Sequence, residues 1–210
     1  ANNLAIKGIA QASRHIGKHI ISTPLEHSSV SGSLTALQER SWEIDLLSIG
    51  RDGTVDPEEV RELLRPDTVL VAICAVDSEL GTIQPVNEIA ALLADHPNCS
   101  LHVDATQAIG RIPVDFAGID TLSFAPHKFG GICGSGVLLK RSRMPLEPQM
   151  NGGASTTLYR SGTPALGLAA SSALALQLAC DERESRCAVV QRHSERLRKA
   201  LAAYPAVHIN

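Results

Sequence analysis

Lysine, aspartate, histidine and glutamine side chains gather in this sequence just where predicted strands run out. Glu26-His27 follows a predicted strand at 19–23, and Asp104-Ala105-Thr106-Gln107 follows one at 100–104. Ser123-Phe124-Ala125-Pro126-His127-Lys128 follows one at 121–124 and leads into Gly130-Gly131, Gly134 and Gly136. A fourth cluster, Asp77-Ser78-Glu79-Leu80-Gly81, stands after a strand at 68–74. Each has an ordinary reading alone: an aspartate at a strand end caps a helix, and a His-Lys pair before glycines lies in a solvated loop. Together they make one chemical set. It contains an amine able to form an imine, a carboxylate able to keep a proton on a ring nitrogen, a flat imidazole and an amide donor.

Pyridoxal-phosphate catalysis needs that set. Lys128 supplies the amine, Asp104 the partner of the pyridine nitrogen, His27 the stacking plane and Gln107 the donor to the ring oxygen. The glycines after Lys128 let the backbone pass close to the cofactor.

These side chains converge only if the strands lie side by side and parallel. Apolar spacing predicts a helix within 1–18, and a second helix is expected over about 28–39, followed by a strand over 42–48. Asp56-Pro57-Glu58-Glu59 opens a helix with an acidic cap and proline in its first turn. Thr68–Cys74 is a near-continuous apolar run, as expected of a parallel strand buried on both faces. A helix at about 86–95, strands at 100–104, 121–124 and 136–140, and one long or two broken helices over 164–203 complete the pattern. Alternating strands and helices predict a layered α/β/α domain with a mainly parallel sheet, and ligands then sit beyond the strands' carboxyl ends. The segment 144–159, rich in Pro, Gly, Ser and Thr, is the expected mobile or partner-contacting loop.

Composition narrows the function classes. A net charge of −3 and a pI near 6.2 give no sign of a nucleic-acid partner, and the basic residues after Arg183 alternate with acids as on a solvated helix face. No apolar run reaches the roughly 20 residues of a membrane helix, and the first residues lack a secretory layout, so a cytoplasmic protein is expected. Five cysteines without a C-x-x-C pair predict separate reduced thiols and no metal site. His102, inside a buried strand, reads as a satisfied core histidine. The opening at Ala1 and the ending at Ala206–Asn210, which resembles a strand start, read as a piece of a longer protein.

With these motifs in hand the sequence resembles the fold-type-I pyridoxal-phosphate enzymes of the class V aminotransferase branch, and within it the cysteine desulfurase family. The stretches that carry the resemblance are Ala1–Gly8, Glu26-His27, Asp77–Gln84, His102–Gly110, Ser123–Lys128 and Arg160-Ser161-Gly162-Thr163. It implies that 1–203 is the large cofactor-binding domain ending in a connecting helix, and that 204–210 begins a C-terminal small domain. It implies catalytic roles for Lys128 and His27, and cofactor contacts from Lys128, Asp104, Gln107, His127, His27 and Ser78. Lys128 would hold the cofactor and shuttle the Cα proton, and His127 would bind the phosphate. Thr163 would reach the phosphate of a neighbouring subunit, making a homodimer with composite sites. The implied reaction converts L-cysteine to L-alanine, passing sulfur to an enzyme persulfide and on to a sulfur-acceptor protein, for iron-sulfur cluster assembly or other delivery.

The sequence also departs from the family pattern. Ser78 stands for the usual asparagine, Ala125 for a phosphate-binding serine and Pro126 for a glycine, and Ser155-Thr156-Thr157 replace charged residues. The family's phosphate turn would precede Ala1, while its sulfur-accepting cysteine and substrate-binding arginine would follow Asn210. Two other functions stay open: a different class V lyase or aminotransferase, and a non-catalytic α/β scaffold.

Overall fold

The computed structural model describes residues 1–153 and 157–207. Its centre is a six-stranded sheet of β1 (His19–Ser22), β2 (Glu43–Leu46), β3 (Thr68–Cys74), β4 (Ser100–Asp104), β5 (Thr121–Phe124) and β6 (Val137–Lys140) in the order β2-β1-β3-β4-β5-β6. The first five strands are parallel and β6 returns antiparallel beside β5. The layered, mainly parallel fold expected from the sequence is thus observed. Every residue of β3 and β4 is buried, which explains why β3 reads as a continuous apolar run, while β4 alternates and buries its polar Ser100, His102 and Asp104 as well.

Two helical layers cover the sheet. On one face α1 (Asn2–Ser13) and α2 (Ser28–Gln38) bury Ile6, Ile9, Val30 and Leu34 against Ile20, Leu70 and Ala72. On the other, α3 (Pro57–Leu63), α4 (Val86–Leu92) and α5 (Leu166–Asp181) close over Ile21, Val71, Ile73, Leu101 and Val103. The two-residue side-chain alternation of β1 and β3 therefore feeds separate cores above and below the sheet. The C-terminal helical stretch breaks at Glu182 into α5 and α6 (Arg183–Leu201), and α6 buries none of its residues. Residues 204–207 form a turn, so the strand expected from 206 onward does not begin there, and 208–210 lie outside the described residues. Among the described residues no helix is long and apolar enough to cross a membrane.

Glu26 locks the loop after β1 onto the end of β3. Its Oε1 accepts the Cys74 backbone N–H at 2.7 Å and the Thr23 hydroxyl at 3.0 Å, while Oε2 is buried with no hydrogen-bond partner among the described residues. Burial, reinforced by the charge of Asp104, lifts the carboxyl from its usual 4.5 to about 7. On the far side of the sheet, Gly110 takes φ +74°, and a Cβ there would stand 2.7 Å from the Ala179 Cβ of α5. Only glycine allows both the turn and the close approach of the helix.

Two measurements check this packing. Between pH 4.5 and about 7 the unfolded chain releases the Glu26 proton while the folded chain keeps it, so stability falls through that window as pH rises. Glu26→Gln removes that slope, and urea unfolding should show the variant gaining about 3 kcal/mol on the wild type between pH 4.5 and pH 8; parallel profiles would place the carboxyl in water. Gly110→Ala should cost about 2 kcal/mol in the same assay, and a change within experimental error would mean that α5 does not seat on Gly110.

Candidate active site

The carboxyl ends of β1, β3, β4 and β5 open into a cavity of about 420 Å³. His27, Ser78, Asp104, Gln107, His127 and Lys128 all line it. Six of the seven positions singled out from the sequence thus meet in one place. Thr163 does not; it is exposed on the loop before α5 and does not line this cavity. Arg160 folds back on its own loop, donating to the Ser161 carbonyl at 3.1 Å.

Asp104 is the last residue of β4, paired across the sheet with Cys74 on one side and Ser123 on the other. That register buries its carboxylate in the cavity floor, 6% exposed. Two donors meet it there. Oδ1 accepts the Thr106 backbone N–H at 2.9 Å and Oδ2 the Asn2 amide at 2.7 Å. A carboxylate has about four acceptor positions, so capacity remains for a donor arriving from the cavity.

Lys128 is held by a short 3-10 turn, Pro126–Phe129, that follows β5. Proline opens the turn, the Lys128 N–H bonds the Ala125 carbonyl at 3.1 Å, and Phe129 is buried with its ring 5.8 Å from that of Phe124. With Phe129 pinned inside, His127 and Lys128 are turned outward and exposed. The glycines after Lys128 serve this turn. Gly130 ends it at φ +104°, and a Cβ on Gly131 would meet the Pro126 Cβ at 2.8 Å. Gly130 and Gly131 thus close the turn that Pro126 starts, and Gly136, farther along the segment, lines the cavity. Arg111 adds a strap, donating to the Lys128 carbonyl at 3.0 Å and the Gln107 carbonyl at 3.2 Å.

His27 is the N-cap of α2. Its Nδ1 accepts the Ser29 N–H at 3.1 Å, which leaves the proton of the neutral ring on Nε2. Ser78 sits on a loop fixed by Asp77, whose Oδ1 accepts the Glu79 N–H at 3.0 Å and also the Leu80 N–H. Ala125 lines the cavity where a hydroxyl was expected by the family pattern, so that wall lacks a donor. Of the residues 155–157 noted in the sequence, 155 and 156 lie outside the described residues.

His102 is fully buried between Thr121 and Asn2, as expected of a core histidine, and burial lowers its pKa to about 4. Cys74 also borders the cavity, but burial and the neighbouring Glu26 push its thiol far above the usual range, which makes it inert. Cys133, Cys180 and Cys187 are exposed and none lines the cavity. Sequence reasoning passed over Asn2 and Ser29. The signal was an Asn-Asn pair opening a helix without a capping serine or aspartate before it, a poor choice for helix stability that calls for another use of the amide.

The residues present fit pyridoxal phosphate. An amine, a buried acceptor carboxylate, an imidazole and amide or hydroxyl donors share one cavity, and that donor set suits a ring bearing an aldehyde, a basic nitrogen and an oxygen.

Comparison with known proteins agrees with this reading. The model of the aminotransferase class-V family matches residues 1–209. The chain is 39% identical over 212 residues to a "NifS/IcsS protein homolog" of Lactobacillus delbrueckii subsp. bulgaricus, covering 100% of this chain and 55% of the relative. It is 42% identical over 188 residues to the mitochondrial cysteine desulfurase of Arabidopsis thaliana, covering 88% of this chain and 41% of the relative. The crystal structure of DndA from Streptomyces lividans superposes with a TM-score of 0.83 at 38% identity, over 98% of this chain and 58% of that one. The chain spans about half the length of the curated relatives it matches. It belongs to the aminotransferase class-V family, and its relatives there include cysteine desulfurases.

Proposed function

We propose that the protein acts as a pyridoxal-phosphate-dependent cysteine desulfurase, converting L-cysteine to L-alanine with transfer of the substrate sulfur to a cysteine thiol. The observation that carries this is the meeting of Lys128, Asp104, His27 and Gln107 in one cavity at the strand ends. The cysteine desulfurase relative supports L-cysteine as substrate.

When bound, the cofactor supplies an electron sink for charge developing at the substrate Cα. Asp104, oriented by Thr106 and Asn2, accepts a hydrogen bond from the ring nitrogen and so keeps the sink protonated. Lys128 would hold the cofactor through its amine, and the same amine, once free, would carry the Cα proton. His27 presents its imidazole to the ring face, and Gln107 with Ser78 serves the ring oxygen. His127, exposed beside Lys128, takes the phosphate, a task made heavier by the missing hydroxyl at Ala125.

The thiol that receives sulfur lies, in this proposal, beyond these 210 residues. Cys74 is inert, and the three exposed thiols stand off the cavity. Residues 1–203 then form the large domain and 204–210 lead into a small one. A homodimer completes the site, with Thr163 of each subunit serving its neighbour; Leu158 on the same loop and Leu166 at the start of α5 are 87% and 76% exposed, an apolar surface suited to a partner. Five unbridged cysteines suit a reducing compartment such as the cytoplasm, where a sulfur-acceptor protein for iron-sulfur assembly would be met. Ser78, Ala125 and Pro126 favour one second reading, a class V lyase or aminotransferase acting on another amino acid.

Full-length protein mixed with pyridoxal phosphate should gain a visible absorbance band that Lys128→Ala abolishes, with turnover falling at least about 10³-fold. A protein that stays colourless would refute cofactor chemistry. Asp104→Ala should keep the covalent band but lower kcat by about 10²-fold or more. With L-cysteine the wild type should release alanine and sulfide in equal amounts under reductant; pyruvate as the product would move the assignment to a lyase.

A further inference from the structure

Asn2 is 8% exposed and sits in the first turn of α1, yet its side chain points into the cavity wall and spends every hydrogen-bonding position there. Nδ2 donates to Asp104 Oδ2 at 2.7 Å and to Ser29 Oγ at 2.7 Å. Ser29 Oγ lies 2.9 Å from His27 Nδ1, the nitrogen that already accepts the Ser29 N–H. On its other side Oδ1 faces His102 Nε2 at 3.2 Å and accepts the Ser123 hydroxyl. Two donors and two acceptor positions are all that an asparagine owns.

The orientation of this amide follows from chemistry. A carboxylate only accepts, so the NH₂ must face Asp104 and the oxygen must face His102. His102 then carries its proton on Nε2, and its Nδ1 accepts the Thr121 hydroxyl at 2.9 Å. Burial keeps the ring neutral, in keeping with that single proton. A chain of unambiguous bonds thus runs from Thr121 through His102 to Asn2. There it forks, one arm ending on the carboxylate and the other, through Ser29, on the imidazole.

We infer that Asn2 is a positioning residue that fixes Asp104 and His27 together, so that the carboxylate at the ring nitrogen and the imidazole on the ring face are set by one amide. The inference rests on the cofactor reading above. Asn2 touches neither ring nor substrate in this role. It prevents rotation of the Asp104 carboxylate and holds His27 in the tautomer with Nε2–H outward.

The test uses full-length protein loaded with pyridoxal phosphate labelled with ¹⁵N in the ring, and follows the His27 titration by NMR. Asn2→Leu should move the ring ¹⁵N shift toward that of an unprotonated pyridine, displace the His27 titration and weaken cofactor binding about tenfold. Ser29→Ala should displace the His27 titration and leave the ring ¹⁵N shift alone, since it severs one arm only. A folded, cofactor-bearing Asn2→Leu with both signals unchanged overturns the inference, as does a Ser29→Ala whose His27 titrates like the wild type. Should Asn2→Leu fail to fold, Asn2→Asp keeps the shape, turns an oxygen toward Asp104 and must still move the ring signal. A wild type that binds no cofactor would sink the functional reading instead, and the His27 titrations of the cofactor-free proteins would still decide the role of Asn2.

Discussion

A carboxylate buried at the end of a central parallel strand is the constraint on which this structure turns. Asp104 is removed from water by the sheet itself, with β3 and β5 on either side and α1 packed above. Leaving such a group without donors would cost several kcal/mol. The chain answers with a backbone N–H from the turn that follows β4 and an amide from the start of α1. The second answer has wide consequences. It brings the N-terminal end of α1 over the strand ends, and through Ser29 it sets the beginning of α2 as well. Helix placement and site geometry are two outcomes of satisfying one charge.

That coupling explains what the sequence did and did not disclose. The strands Thr68–Cys74, Ser100–Asp104 and Thr121–Phe124 were legible to the residue, the first as a near-continuous apolar run buried on both faces, the other two as short runs that end in the polar clusters of the site. The Pro-His-Lys turn was legible as a place, yet its glycines were not legible as a purpose. Only the coordinates show that Gly131 leaves room for Pro126. Asn2 was hidden for a different reason. A helix-opening asparagine looks like a surface residue, and its partners at 29, 102, 104 and 123 are distant in the sequence. The antiparallel return of β6 was equally invisible, since a short half-buried strand reads the same in either direction.

Burial also separates the thiols and acids by task. Glu26 and Cys74 meet at the end of β3, where burial raises both pKa values; the Glu26 charge raises the thiol further, while the hydrogen bonds that Cys74 donates pull the Glu26 carboxyl back down. A thiol in such company is a packing residue even though it borders the cavity. Among the described residues one Glu26 oxygen has no hydrogen-bond partner, a cost accepted where the other oxygen joins two strand ends. The chemistry of the cavity therefore falls to the groups that solvent or the sheet leaves available.

Those groups are unevenly supplied along the cavity. At the Asp104 end the chain supplies every support from within: two donors on the carboxylate, a saturated amide and a neutral histidine behind it. At the His127 end it supplies little, since Ala125 offers no hydroxyl and both His127 and Lys128 stand exposed. A dianionic phosphate needs several donors, and charge-assisted bonds are the ones that hold it. The proposed site is thus rigid at the ring nitrogen and open at the anion, which is where a neighbouring subunit's Thr163 is proposed to enter. On that proposal, binding would depend on a second chain at one end and on an internal carboxylate at the other, so that assembly would set affinity while the electronic character of the ring would be left to this chain.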